Sequence, residues 1–84
     1  MARIIDGEEK NLIGKNVRKF RTEQKMSQQE LSIKLETIAE YICRGSISRI
    51  EDCSRTVTDI ELFAIAKVLN VTIDKLFNDN NRFS

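Results

Sequence analysis

The sequence contains no histidine, no proline and no tryptophan, and only two of its 84 residues are cysteines. Histidine is the commonest general base and metal ligand, and the two cysteines have no companions at metal-ligand spacing. No glycine-rich phosphate loop or nucleophile motif occurs either. The sequence therefore gives little support for an enzyme, and we expect neither a metal nor another cofactor.

Long apolar runs are also missing from the chain. No stretch approaches the roughly 18–20 residues of a membrane span, and residues 1–6 are too short for the apolar region of a signal peptide. With 40% apolar and 32% charged residues, the composition is that of a globular protein. We expect one small domain, because the chain is too short for two cores, in a soluble, cytoplasmic protein with no membrane partner.

The two cysteines, Cys43 and Cys53, invite a disulfide interpretation. If they flank one helix, ten residues at a rise of about 1.5 Å place their Cα atoms about 15 Å apart, beyond the roughly 7 Å that a disulfide allows. We therefore predict two reduced thiols, as is typical of the cytosol. A redox role stays open, because thiol exposure and acidity cannot be deduced from the sequence.

Apolar residues recur at helical spacing, and neither proline nor alternating β-type patterns interrupt them. Capping boxes, in which a Ser or Thr precedes a Glu by three residues, open the second and fourth helices. The predicted helices span about 11–24, 27–38, 44–51, 58–69 and 73–78. The inner faces of the first two should carry Leu12, Ile13, Val17, Phe20, Leu31, Leu35 and Ile38. We predict an all-α, compact five-helix bundle over residues 11–78, with an N-terminal arm or helical lead-in at 1–10 and a tail at 79–84.

The third predicted helix has the composition of a DNA-reading element. Ile47 and Ile50, three residues apart, would fasten one face to the core. The remaining faces carry hydrogen-bond donors, which are Arg44, Ser46, Ser48 and Arg49. Arginine suits a bidentate grip on guanine or phosphate, and a helix of two to three turns fits the major groove of B-DNA. The alternative is a core helix with two ordinary surface arginines.

The charge distribution favours the DNA interpretation weakly. Residues 10–55 contain ten Lys or Arg and six Asp or Glu, a net charge of +4, whereas residues 1–9 carry −2 and residues 56–84 carry −1. The positive excess therefore coincides with the proposed motif, as expected for an electrostatic footprint.

The order of these parts resembles the phage Cro/repressor-like (XRE-type) helix-turn-helix DNA-binding family, from about Leu12 to Phe77. The resemblance implies a bundle of the phage-repressor DNA-binding-domain type. It is carried, in chain order, by Ile13-Gly14, Val17-Arg18, Phe20-Arg21, Met26 to Ser32, Ile47 to Glu51, Val57 to Leu62, Ala66 to Val71 and Ile73 to Phe77.

The resemblance also implies roles for individual residues. Arg44 and Arg49 would contact bases, with Ser46 secondary, although Arg49 could hold a phosphate instead. Arg21 and Glu51 correspond to a buried ion pair. Phosphate contacts are expected from Ser27, Gln28, Ser48, Arg55 and Arg18. For Ser27 and Gln28 there is also a physical reason, since free N–H groups and the helix dipole attract anions to a helix N-terminus.

Three departures from the family pattern carry structural expectations. The chain is about five residues longer between Leu31 and Ile47, which predicts a longer helix end or a wider turn. Lys25 and Cys53 stand where glycine is common, which predicts modest backbone strain or a different turn at each site. Cys43 stands where a capping Ser or Thr is usual, so the third helix should begin with a weak cap and could tighten on DNA.

These features predict a sequence-specific double-stranded DNA-binding regulator, repressor-like, that acts as a homodimer on an inverted repeat. Two half-sites are expected because one short helix contacts few base pairs. Phe63, Phe77 and Phe83 are candidates for the dimer surface, or else they complete the core. The alternative function is a protein-interaction module, such as an antitoxin or anti-regulator, that uses the same fold to hold a regulatory protein partner.

Overall fold

The structure, a computed structural model, describes residues 9–77. Within this span it contains five helices and no strand: α1 (Gly14–Glu23), α2 (Gln28–Thr37), α3 (Arg44–Glu51), α4 (Asp59–Leu69) and α5 (Ile73–Phe77). Helix α3 packs against α1 and α2, while α4 packs against α1, α2 and α5. The predicted all-α five-helix architecture is confirmed. Residues 1–8 of the arm or lead-in predicted at 1–10, and the tail predicted at 79–84, lie outside the described residues.

Two capping boxes start helices α2 and α4, as the sequence predicts. The Ser27 hydroxyl accepts the Glu30 N–H at 3.0 Å, and the Ser27 N–H donates to the Glu30 carboxylate at 2.7 Å. Thr58 and Glu61 make the same pair of bonds at 3.1 and 3.0 Å. Helix α4 then ends at Asn70, which has the left-handed conformation expected of it, with φ 59°.

Helix α1 begins two to three residues later than predicted, at Gly14. The cause is the side chain of Asn11, whose Oδ1 accepts the N–H groups of Ile13 at 3.0 Å and Gly14 at 2.7 Å. Asparagine offers the backbone this local alternative to helical hydrogen bonding. Residues 11–13 therefore form a turn that leads into α1 instead of its first turn.

Most residues predicted for the inner faces of the first two helices lie in or against the core, but Ile38 does not. The fully buried apolar side chains from α2 and α3 are Leu31, Leu35, Ile47 and Ile50. Ile38, however, remains 39% exposed, because α2 ends at Thr37 and removes it from the helical stripe. Ile42, only 3% exposed, is the apolar residue of this connection that enters the core.

Residues 38–43 form the wide turn between α2 and α3. The Glu40 N–H donates to the Leu35 carbonyl at 3.1 Å, and Ala39 between them takes a left-handed φ of 65°. Lys25 and Cys53, with φ of 58° and 63°, show the predicted strain. A left-handed conformation at a non-glycine residue costs about 1–2 kcal/mol.

Both cysteines are free thiols, Cys43 exposed and Cys53 buried. Over residues 9–77, no group of three or more acidic or sulfur ligands could hold a metal ion. None of the five helices is long and apolar enough to cross a lipid bilayer.

Candidate nucleic-acid interface

Helix α3 is embedded in the protein on one side and open on the other. Ile47, Ile50 and Glu51 are buried along its inner side. Arg44 and Arg49 are exposed, as is Gly45, where a Cβ atom would meet nothing within 4 Å. The first turns of α3 therefore leave room for a ligand to approach the backbone closely, with an arginine on either side of that opening.

A buried ion pair fixes the far end of α3. The Glu51 carboxylate accepts from Arg21 Nε at 2.6 Å and from Arg21 Nη2 at 3.0 Å, and Arg21 Nη1 donates to the Met26 carbonyl at 2.7 Å. The side chains of Arg21 and Glu51 are only 11% and 2% exposed. The structure thus contains the ion pair that the resemblance implies, and it joins α1, the α1–α2 turn and α3.

Gln28 connects the same carboxylate to the start of α2. Its Nε2 donates to Glu51 Oε1 at 3.0 Å, although the side chain is half-buried instead of enclosed. A glutamine amide has two N–H groups, so one remains for a further acceptor. Gln28 therefore connects the N-terminus of α2 to the end of α3.

The N-terminus of α2 has the electrostatics of an anion site. The Ser27 side chain satisfies the Glu30 N–H, while the N–H groups of Gln28 and Gln29 have no acceptor inside the helix. These groups and the positive end of the helix dipole favour a phosphate oxygen. Of the other predicted phosphate contacts, Arg18 is exposed on α1 and Ser48 is half-buried on α3.

Cys43 begins α3 as the weak cap that the sequence predicts, because its side chain makes no capping hydrogen bond. The thiol instead donates to the Ser46 hydroxyl at 3.4 Å. The pKa of the Cys43 thiol is lowered chiefly because the Ser46 hydroxyl can rotate to donate to the thiolate, and further by the N–H groups of Ser46 and Gly45 and by the charge of Arg49. Ser46 is therefore half-buried and engaged with Cys43, which leaves it less available to a base than the two arginines.

Arg55 has a partner that the sequence analysis did not foresee. Its guanidinium forms a bidentate ion pair with Glu61, at 3.0 and 2.8 Å, and donates to the Thr56 carbonyl at 2.9 Å. The paired guanidinium is the main cause of a lowered pKa at Glu61, and the Glu61 carboxylate raises the pKa of Arg55. The pair holds the loop after α3 against α4. A phosphate group that binds Arg55 would therefore have to do so beside the Glu61 carboxylate.

The sequence did not reveal that two residues, Asn11 and Gly14, help to position α3. Asn11 Nδ2 donates to the carbonyls of Ile50 at 3.1 Å and Arg55 at 2.8 Å, which holds the end of α3 against the start of α1. At Gly14, a Cβ atom would overlap the Ile50 carbonyl oxygen and lie 2.9 Å from Cys53 Sγ. An asparagine just before a helix signals a cap, but neither residue type reveals its distant partner.

Comparison with known proteins supports the assignment of α2 and α3 to a helix-turn-helix. A helix-turn-helix family model matches residues 17–76, which is most of the chain and spans α2, the wide turn and α3. No curated protein and no solved structure matches the chain. The matched family is one of DNA-binding regulators, which are generally not enzymes. The chain belongs to the XRE-type helix-turn-helix family and is a DNA-binding helix-turn-helix regulator.

Proposed function

We propose that the protein is a sequence-specific, repressor-like transcriptional regulator that binds an inverted repeat in double-stranded DNA as a homodimer, with α3 in the major groove. The observation that carries this proposal is the asymmetry of α3. Its inner side is held by Ile47, Ile50 and the Glu51 ion pair, while Arg44 and Arg49 stand exposed on either side of Gly45.

Arg49 is the foremost base-contacting residue in this proposal. It lies four residues after Gly45, so the two share one face of α3, and this face points away from buried Ile47. Arg44 lies in the first turn, the part of a recognition helix that reaches base edges. Each bidentate arginine–guanine contact is worth about 1–3 kcal/mol of discrimination against the wrong base. Ser46 is assigned a secondary base contact.

Phosphate contacts would fix the register of α3 without reading sequence. Ser27 and Gln28 supply the N-terminus of α2, and the Gln28 bond to Glu51 holds that N-terminus at a set position relative to α3. Arg18 and Ser48 are assigned further phosphate contacts. Arg55 contributes only through the nitrogen atoms that its pairing with Glu61 leaves over.

The size of the reading surface supports a homodimer. Helix α3 has eight residues, so a single copy contacts few base pairs. Two copies related by a two-fold axis would read half-sites about 34 Å, or one helical turn, apart. Such an arrangement requires an inverted repeat in the DNA.

The test is selection from a randomised duplex pool at near-physiological salt, because salt suppresses the sequence-independent phosphate contribution. Wild-type protein should enrich an inverted repeat. Arg44→Ala and Arg49→Ala should each lose preference at particular bases by about 5- to 150-fold, which corresponds to about 1–3 kcal/mol. Lys75→Ala removes the same charge from an exposed position of α5 and should leave every preference unchanged.

Failure of enrichment by folded protein would overturn the proposal. The protein-interaction module, an antitoxin or anti-regulator bound to a regulatory partner, would then become the leading function. Equal, uniform weakening by all three variants would also count against base reading by α3, because it would show only general charge attraction.

A further inference from the structure

The wide turn between α2 and α3, residues 38–43, contains the extra residues that set this chain apart from the usual family pattern. Its second half, residues 40–43, has neither a turn nor a bend and is therefore extended. In this segment Ile42 is 3% exposed, whereas Tyr41 is 61% exposed. Because side chains alternate along an extended chain, buried Ile42 places Tyr41 and Cys43 on the outward side.

The outward side of this segment continues into the exposed start of α3. Cys43 comes directly before the helix, and Arg44 and Gly45, which follow it, are exposed as Cys43 is. Glu40 is half-buried and, by the same alternation, lies on the inward side, so its carboxylate is turned away from Tyr41. The exposed surface from Tyr41 to Gly45 therefore carries a positive charge and no acidic side chain.

Two of the proposed phosphate contacts, Gln28 and Arg55, lie at the opposite end of α3. Gln28 donates to Glu51, the last residue of α3, and Arg55 lies in the loop that follows. None of the proposed phosphate contacts lies in the segment that leads into Arg44. A helix held to the DNA backbone mainly at one end can pivot about that end, so a contact just before Arg44 would complete the fixation of α3.

The distance between Tyr41 and Arg44 decides which part of the DNA Tyr41 would reach. Three residues of extended chain span about 10 Å. A helix with its side chains is about 10–12 Å across and the major groove is about 12 Å wide, so α3 fills the groove. The segment before α3 must therefore leave the groove across its wall, and this wall is the phosphate backbone.

We propose that Tyr41 is a phosphate contact at the start of α3, in which its hydroxyl donates a hydrogen bond to a backbone phosphate at the edge of the major groove. The inference rests on the proposed function and adds a contact from a segment to which the family pattern assigns no role. Over residues 9–77 the hydroxyl makes no hydrogen bond, so no bond within the protein has to break. Tyrosine is among the side chains that contact DNA phosphates, and it does so as an uncharged donor.

Binding titrations with the selected duplex and with a duplex of unrelated sequence, each at several salt concentrations, test this contact. Tyr41→Phe should weaken both complexes about tenfold, because a hydrogen bond to a charged group is lost. The slope of log affinity against log salt concentration should stay as in wild type, since an uncharged hydroxyl releases no counterion. Loss of a charged phosphate contact would instead reduce that slope by about one.

Thr37→Val is the matched control for the loss of a hydroxyl. Thr37 is exposed at the end of α2, four residues before Tyr41, and its hydroxyl donates to the Lys34 carbonyl at 2.6 Å. This variant should bind both duplexes as wild type does, and circular dichroism verifies that both variants fold. Phosphate ethylation locates the contact: one ethylated phosphate in each half-site should weaken wild-type binding but add nothing to the loss in Tyr41→Phe.

The two proposals fail in distinguishable ways. Tyr41→Phe that binds both duplexes as tightly as wild type, or that changes the preferred bases, would overturn the phosphate contact while the operator-reading function stands. Wild-type protein that enriches no sequence, but whose binding to the unrelated duplex falls about tenfold in Tyr41→Phe, would sink the operator-reading function and leave the phosphate contact intact. Wild-type protein that binds no duplex would overturn both.

Discussion

Replacement of Glu51 by glutamine should remove a large part of the stability of this domain. The Glu51 side chain is 2% exposed and accepts three hydrogen bonds, two from Arg21 at 2.6 and 3.0 Å and one from Gln28 at 3.0 Å. Glu51→Gln keeps the shape but removes the negative charge. Arg21, whose side chain is 11% exposed, is then left without a counter-charge.

Loss of one partner from a buried pair costs about 3–5 kcal/mol, since the remaining charge is uncompensated. A domain of 84 residues is stable by about 4–13 kcal/mol in total. Glu51→Gln should therefore lie close to the unfolding threshold. Gln28→Ala should cost only about 1 kcal/mol, because both Arg21 bonds to the carboxylate remain.

Urea unfolding followed by far-ultraviolet circular dichroism gives these free energies directly. The double replacement of Arg21 by Met and Glu51 by Leu is the matched control. It leaves no unpaired charge and should cost less than Glu51→Gln alone. A loss below about 1 kcal/mol for Glu51→Gln would refute the reasoning, because it would show that the enclosed pair does not hold α3 in place.

Three further changes have defined outcomes. Gly14→Ala should destabilise the protein by about 1–3 kcal/mol in urea, because the new methyl group overlaps the Ile50 carbonyl oxygen. Cys43→Ser should raise the free energy of unfolding by about 0.5–1 kcal/mol and slow amide exchange in the first turn of α3, since serine caps helices well. The pKa of Glu61 is lowered in the folded protein by Arg55, so this pair stabilises at neutral pH and its contribution is lost as pH falls below the ordinary glutamate range. Unfolding free energies measured between about pH 6 and pH 3 should consequently fall less steeply for Glu61→Gln than for wild type.

Local signals in the sequence predicted the helices well. The capping boxes at Ser27 and Thr58 and the left-handed Asn70 all appear as expected, because each depends on bonds within about four residues. The burial of Ile47 and Ile50 followed from their spacing alone. In each of these cases the residues that determine the structure lie close together in the sequence.

Long-range partners could not be predicted in the same way. Nothing near Asn11 shows that its amide will reach the carbonyls of Ile50 and Arg55, which lie 39 and 44 residues away. The environment of Ile38 was also mispredicted, because α2 ends at Thr37 and Ala39 then adopts a left-handed conformation that alanine does not signal. Ile38 was consequently assigned to the core, whereas it remains partly exposed.

The outward face of α3 contains both features that the sequence predicts and contacts that it does not. Composition and spacing identified Arg44 and Arg49 as exposed donors, because Ile47 and Ile50 determine which side faces inward. The engagement of Ser46 with Cys43 and of Arg55 with Glu61 emerged only from the structure. The base-reading assignment therefore rests most firmly on the two arginines of α3.

Methylation interference on the selected duplex shows directly whether α3 lies in the major groove. Guanine N7 is exposed in that groove and is an acceptor for arginine. We predict that N7 methylation blocks wild-type binding at guanines in both half-sites, about one helical turn apart, and that Arg49→Ala becomes insensitive at one guanine in each half-site. Interference confined to the minor-groove N3 of adenine, or an identical pattern for wild type and Arg49→Ala, would contradict the placement of α3 and its role in reading bases.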